Sequence, residues 1–425
     1  MSYAKKKLYV FDVDIFSDIG GAGKASFDII KGMTHYCNII FIPKYAAYAK
    51  ISNNNDRMLF FNHMNELRNL GIQIPNDLLD LSHETEIKYK EYLEIIFNVI
   101  EEGSIIIDLN YFPELEPDNI ARIIRSFFYG GEIVLLKNAK GCKIVALLQT
   151  LDGRPVKSHV YFAFKYFSVY NFFSLKLLLK SFYRNIKDSI SVKRLVKNAD
   201  LILVYSKGSI ISLGQLRHTT KFRVLTIGNT IDKRIPLKPG SKSNYIIFYS
   251  RLIHDKGLFD LLGTFKDILK TKDTRLVITG KFPNQQLENE FFKKAKKYNI
   301  SNKIKYCGFV DANELQKLIA EAKVFLYPSH YDSFPYAILE AVSSFTAVVT
   351  YSIPNILYSY QSLRCVYKIN EFDIKNMAKK TIEVLNLSND DYFNLFSDKK
   401  IKEFINEHTD NKEAIKEIYK FISEL

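Results

Sequence analysis

Two stretches in the second half of the sequence carry side chains that could act together. YSRLIHDKGLFD holds Arg251 and Lys256, and HYDSFPYAILEAV holds Asp332 and Glu340, eight positions apart. Arg251 and Lys256 come just after a run that reads as a strand. Asp332 falls in the loop after the strand Val324–Tyr327, and Glu340 falls within the helix that follows. A carboxylate inside a helix beside a crevice can accept both hydroxyls of a ribose. A carboxylate in the preceding loop can accept the hydroxyls of a sugar. The N–H groups that open the helix, around Tyr336, Ala337 and Ile338, form an anion site suited to a diphosphate. Arg251 and Lys256 can add two positive charges to the same group. Breaking a glycosyl–phosphate bond leaves negative charge on a nucleoside diphosphate. Fixed charges and amides aimed at that charge lower the barrier, by analogy with oxyanion-hole donors about 3–4 kcal/mol each. With two cations present, this chemistry does not require a metal.

Alternating strands and helices must position these groups, which argues for an α/β chain with parallel sheets. In the first half, Lys7–Asp12, Cys37–Ile42, Ser104–Asn110, Lys143–Gln149, Leu201–Tyr205 and Arg223–Ile227 read as strands, and Ala25–Met33 reads as a helix. The runs are continuously apolar, as strands covered on both faces must be. The segment PLKPGSKSN, Pro236–Asn244, has the chemistry of a linker. The rhythm then restarts. Strands are expected at Tyr245–Ser250, Arg275–Thr279, Lys303–Cys307, Val324–Tyr327 and Ala347–Thr350. Helices are expected at Leu258–Lys270, Asn284–Tyr298, Glu314–Glu321 and Tyr336–Ser343, with two more around Lys399–Glu407 and Lys412–Glu424. The expected organisation is one domain over 1–236, a linker over 237–244, a second domain over 245–400, and terminal helices over 401–425 placed to cross back to the first domain. Ligands of open α/β sheets bind at the carboxyl ends of the strands, so a crevice between two such domains is the expected place for chemistry.

Composition excludes several classes. Apolar residues make up 47% and charged residues 25% of the 425, too apolar for a disordered chain. The four cysteines, Cys37, Cys142, Cys307 and Cys365, are scattered, which disfavours a disulfide framework or a zinc site. No run of 18 residues is continuously apolar, so no transmembrane helix is expected. The opening MSYAKKKLYVFDVDIF is broken by Asp12 and Asp14 too early for a signal peptide. A cytoplasmic setting fits these features. The net charge of +14 suits polyanionic partners without choosing among nucleotide phosphates, anionic lipid and nucleic acid.

The stretches SRLIHDKG, LVITG, IKYCGFVDANELQKLIAEAKVFLYPS and YDSFPYAILEAV resemble the retaining GT-B glycosyltransferases of family 4, the group 1 type. The likeness is best from Tyr245 to Thr350. It continues more weakly through DIGGAGKAS, KNADLILVYSKGS and TIGNTID. It implies a GT-B fold, two Rossmann-like domains with parallel sheets facing a central cleft. It implies a hexose moved from a nucleoside-diphosphate sugar to a glycan, glycolipid or lipid-linked acceptor, with anomeric configuration kept. The donor would be a substrate, with no resident cofactor and no metal. Arg251 and Lys256 would bind the donor diphosphate, Glu340 its ribose, and Asp332 the transferred sugar. Phe334, Tyr336, Ala337 and Ile338 would line the donor site. Gly20 and Gly21 would bring backbone close to the phosphates or acceptor. Gly280, in the turn to Pro283, and Phe309, in the loop after Cys307, would hold the base.

Three positions depart from that pattern. Asp332 stands where the family has Glu, one methylene shorter. Gln149 stands where the family often has His. YSIPNILYSY replaces the usual Gly-rich segment after the last nucleotide-side strand. Gly20, Gly21 and Gly23 before Lys24 do not make a P-loop, because Asp18 and Ala25 occupy the required Gly and Ser/Thr places. A tight strand-to-helix turn is the plainer reading there. His254 and His330 lie beside the motifs and read as ordinary packing residues. In the segment 160–187, Lys165, Lys176, Lys180, Arg184 and Lys187 fall on one helical stripe among aromatics. Such a helix suits either core packing or peripheral contact with an anionic, cytosolic membrane face. Two other functions share the architecture. A sugar-nucleotide epimerase would need acid/base groups for which no His/Asp/Glu set stands out. A catalytically inactive, basic membrane- or nucleic-acid-binding protein would bind polyanions in a salt-sensitive way. Nucleic acid is disfavoured, since no nucleic-acid module is recognisable.

Overall fold

The computed structural model describes residues 5–12, 21–49, 51, 53–83, 89–109, 131–148, 193, 195–211, 219–228, 230–231 and 242–425. Gly20, Gln149 and the segment 160–187 lie outside these residues. The chain divides into two compact units. One comprises Met1–Gly228 with Asn411–Leu425, the other Asn229–Asp410.

Each unit is built on a six-stranded, all-parallel sheet. In the first unit the strands are β1 (Lys7–Asp12), β2 (Asn38–Pro43), β3 (Ile105–Asp108), β4 (Lys143–Leu148), β5 (Leu201–Val204) and β6 (Phe222–Val224), ordered β2-β1-β3-β4-β5-β6. In the second they are β7 (Ser243–Tyr249), β8 (Arg275–Thr279), β9 (Ile304–Tyr306), β10 (Ala322–Tyr327), β11 (Ala347–Tyr351) and β12 (Val366–Ile369), ordered β12-β11-β10-β7-β8-β9. Chain direction across the second sheet therefore reverses between the neighbours β7 and β10. That is the topological switch point of a Rossmann-like sheet. Central strands are buried along nearly their whole length, as their apolar runs require. The α/β class with two Rossmann-like units follows directly.

Several boundaries differ from the sequence reading. β6 ends at Val224, short of Ile227, because the Thr226 N–H leaves the ladder and donates to Glu417 Oε2 at 2.8 Å. β7 starts at Ser243, inside the segment read as linker. Just before it, Lys242 is held by Ala320 O at 2.7 Å, Thr346 Oγ1 at 2.8 Å and Ser344 O at 3.1 Å. Burial lowers its pKa to about 7. The helix read as starting at Ala25 begins at Gly21. β12 escaped the sequence reading because it is a four-residue, half-buried edge strand. The helix Ile374–Leu385 was also missed, although its buried Met377, Ala378, Thr381, Val384 and Leu385 have helical spacing.

The last helix, Lys412–Ser423, packs within the first unit. Tyr419 stacks on Tyr36 with ring centroids 4.8 Å apart, and Glu417 also accepts the Thr226 hydroxyl at 2.7 Å. The helix Lys399–Glu407 stays with the second unit. Among the described residues, no helix is long and apolar enough to cross a membrane.

Candidate functional site

The second unit brings two loops together at its switch point. The first follows β7. It runs through Arg251 into a tight turn, His254–Lys256, closed by Gly257 at φ 71°. The second follows β10 and runs from Pro328 to Pro335, where the helix Tyr336–Ser343 begins. Gly257 lets the loops touch: a Cβ there would lie 1.9 Å from Pro328 O. The positive φ adds a second reason for glycine.

Across this contact, Lys256 Nζ meets Asp332 Oδ1 at 2.6 Å and donates to Tyr331 O at 2.8 Å. Asp332 Oδ2 accepts from the Tyr327 hydroxyl at 2.8 Å and from Ser329 Oγ at 2.6 Å. Asn355 Nδ2 holds the Asp332 main-chain oxygen at 2.8 Å. Only 9% of the Lys256 side chain and 11% of Asp332 are exposed. A pair this shielded survives because hydrogen bonds satisfy both partners; removing one would strand the other. Burial, followed by the adjacent Asp332 charge, holds the Tyr327 hydroxyl well above its ordinary pKa. Tyr327 therefore stays a donor to Asp332.

Arg251 lies earlier in the same β7 loop. Its side chain is exposed and makes no ion pair among the described residues. Glu340 is half-buried in the helix Tyr336–Ser343, and its charge helps raise the pKa of the buried Tyr249 and Tyr360, after burial itself. The start of that helix is fixed from beneath. Tyr360 donates to Pro335 O at 2.9 Å, and Tyr249 donates to Ala337 O at 2.5 Å. Pro335, at the N-cap, supplies no side-chain cap to the helix.

The other candidates fall into two groups. Phe334 is 6% exposed, with its ring 5.4 Å from that of Tyr360 and 5.6 Å from that of His408, so its side chain is core. The Ile338 side chain is fully buried, while Tyr336 and Ala337 are half-exposed. Gly280, at φ 138°, would place a Cβ 2.0 Å from Ser250 O, so glycine is needed where β8 meets the β7 loop. Phe309, by contrast, is 66% exposed beside Gly308. Gly21 opens a helix of the first unit. Among the described residues, no group of three or more His, Cys, Asp or Glu is arranged to hold a metal.

The sequence reading treated His330 as ordinary packing. In the structure it is 1% exposed and lies between the carboxylates of Asp260 and Glu371. Neither carboxylate had been singled out. Asp260, four residues after Lys256 in the same motif, was the available signal. Asn355 was also missed, in the segment that departs from the family pattern.

Residues 230–403 match the family model described as glycosyl transferases group 1. This stretch is a group 1 glycosyltransferase domain. The matched range nearly coincides with the second unit and contains the Lys256–Asp332 contact with its hydrogen-bond partners. The glycosyltransferase domain is similar to stretches of two bacterial proteins. One is the uncharacterized glycosyltransferase YqgM of Bacillus subtilis, 27% identical over 151 residues, 35% of this chain and 41% of that protein. The other is a glycogen synthase of Mycobacterium tuberculosis, 26% identical over 164 residues, 37% of this chain and 39% of that protein. The chain thus spans less than half the length of these relatives. In three dimensions it is similar to HepE of Anabaena, with a TM-score of 0.64 and 14% identity, over 99% of this chain and 100% of that one. At that identity the likeness establishes the fold, which is the GT-B type.

Proposed function

We propose that the chain is a retaining glycosyltransferase that moves a hexose from a nucleoside-diphosphate sugar to a glycan, glycolipid or lipid-linked acceptor. One observation carries this reading: the Lys256–Asp332 contact joins the loops of the two strands that flank the switch point, with the exposed Arg251 in the same loop. Switch points are where nucleotide ligands of such sheets bind. HepE, which shares the fold, is described in complex with UDP-glucose.

The geometry refines the roles. Lys256 spends its charge on Asp332, so Arg251 is the cation that meets the leaving diphosphate first. Lys256 then contributes by fixing Asp332 and by partial positive charge behind it. The Asp332 oxygens already take Lys256, Tyr327 and Ser329. A carboxylate has about four lone-pair positions, which leaves room for one sugar hydroxyl. The shorter Asp side chain is thereby held rigidly, and rigid groups stabilise a transition state better than mobile ones. Glu340 takes the ribose, and the amides at the start of its helix face the diphosphate. Fixed cations supply the leaving-group stabilisation, so the proposed reaction is metal-independent. The protein acts at the cytosolic side, and a lipid-linked acceptor would bring it to the membrane surface.

The test is release of nucleoside diphosphate from a panel of nucleotide sugars, with and without glycan and lipid acceptors, in the presence of EDTA. We expect one or a few donors to be consumed, with product of unchanged anomeric configuration by NMR. Inversion would refute the retaining assignment. No consumption of any donor, with no donor-induced stabilisation, would refute the enzyme.

A further inference from the structure

Two residues before Asp332, His330 is buried where four pieces of the second unit meet. Its Nδ1 lies 2.5 Å from Glu371 Oε1, just after β12, and its Nε2 lies 3.1 Å from Asp260 Oδ2, on the helix Leu258–Ile268. Its main-chain N–H donates to Asp255 O at 2.9 Å, in the turn that carries Lys256. The Tyr351 hydroxyl, at the end of β11, donates to the same Asp260 oxygen at 2.5 Å. The rings of Phe372 and Tyr351 lie 4.6 and 5.0 Å from the imidazole. Lys294, on the helix Gln285–Lys297, lies within electrostatic reach of Asp260.

A neutral imidazole has one N–H, yet here both ring nitrogens face carboxylate oxygens. Both contacts are hydrogen bonds only if the cluster carries one further proton; placed on the ring, that proton makes an imidazolium. Burial opposes that charge, but Asp260 and then Glu371 outweigh it, and the His330 pKa is raised above its ordinary 6.5. A histidine with a raised folded pKa contributes its full stabilisation below about 6.5, and loses it as pH rises through the folded value. When the proton leaves, one nitrogen lone pair faces a carboxylate oxygen. The anchor of the β10 loop then loosens, and Asp332 with it.

We propose that His330 is a positioning residue for donor turnover: by bridging Asp260 and Glu371 it holds the loop that presents Asp332 to Lys256, and it does so only while both ring nitrogens are protonated. This rests on the glycosyltransferase reading above. It adds a basic limit to activity that no group in contact with the donor supplies.

The experiment is kcat/KM for donor turnover from pH 6 to 9.5 in wild type, Glu371→Gln and His330→Gln. Glu371 is 28% exposed and tolerates Gln, which keeps an acceptor but removes the charge. Its basic limb should move at least about one pH unit lower, the usual effect of losing an adjacent opposite charge. His330→Gln should lower kcat/KM about 10- to 100-fold, the cost of slight misplacement, and abolish the limb. An unmoved limb in Glu371→Gln would overturn the proposal even if His330→Gln fails to fold. So would wild-type kinetics in His330→Gln. A second readout is independent of turnover. In histidine ring ¹⁵N spectra of the wild type from pH 6 to 9.5, the resonance missing from His330→Gln should titrate above 6.5 and show both nitrogens protonated on the acid side of that titration. A neutral tautomer there would contradict the bridge. If no donor is turned over but the ring is doubly protonated, the enzyme reading fails and the bridge stands.

Discussion

Both units place a lysine against an aspartate at the carboxyl end of their sheet, and the two pairs differ in their surroundings. In the first unit Lys44, after β2, meets Asp108, at the end of β3, at 2.7 Å; the side chains are 4% and 2% exposed. In the second, Lys256 meets Asp332 at 2.6 Å with slightly more exposure. The first pair reaches across β1, whereas the second joins the loops of the two strands at the reversal itself. Asp332 is served by two hydroxyls, and an exposed arginine shares its partner's loop. The first pair lies instead near Glu132, 6% exposed, whose Oε1 has no hydrogen-bond donor among the described residues. Burial raises the Glu132 pKa, against the weaker pull of Lys44. A buried Lys–Asp contact is thus a structural device that either unit can use. Its position at a switch point, beside an exposed cation, is what points to chemistry.

The contrast can be broken at several places. The largest effect is expected from Lys256→Ala. It should cut donor turnover by at least about 100-fold, in the range of lost transition-state donors. It should also cost about 3–5 kcal/mol in denaturant unfolding, because Asp332 is left buried without its partner. Full stability in this variant would mean that the pair is not shielded in solution. Lys44→Met should cost a similar amount, about 3–5 kcal/mol, but leave nucleoside-diphosphate affinity unchanged. A tenfold loss of affinity there would erase the distinction between the units. The smallest effect is expected from Glu132→Gln. A carboxyl whose folded pKa is raised loses stability as pH rises from the unfolded toward the folded value. Gln removes that loss, so the melting temperature at pH 7 should rise, by about 2–4 °C per kcal/mol recovered. A lower melting temperature would show that the buried carboxyl is satisfied.

The second unit was largely legible in the sequence. Its central strands are apolar runs, and Arg251, Lys256, Asp332 and Glu340 sit in loops and a helix placed by those runs. The Lys256–Asp332 contact itself was not legible, because it depends on β7 and β10 becoming neighbours. Both residues had been assigned to ligand, not to each other. The surroundings of His330 were hidden for the same reason: its carboxylates, Asp260 and Glu371, are distant in the chain. The resemblance assigned Phe334 and Gly280 to the donor site. The structure adds that Phe334 packs against Tyr360 and His408 and that Gly280 approaches Ser250 O closely, neither of which was legible in the sequence. In the first unit, the helix Asn54–Asn69 was missed although Phe60, Met64 and Leu67 have helical spacing. Polar residues fill most of its remaining length, which weakened the signal.

The central claim is that the loops at the second unit's switch point bind a nucleoside diphosphate through Arg251. Calorimetric titration of nucleoside di- and monophosphates into wild type and Arg251→Ala tests it most directly. Arg251 is exposed, so its removal should leave stability within about 0.5 kcal/mol. The account predicts that at least one diphosphate binds the wild type more tightly than its monophosphate, and that Arg251→Ala weakens the diphosphate at least about tenfold, or 1.4 kcal/mol. Equal affinity in wild type and Arg251→Ala, or no diphosphate binding at all, would contradict it.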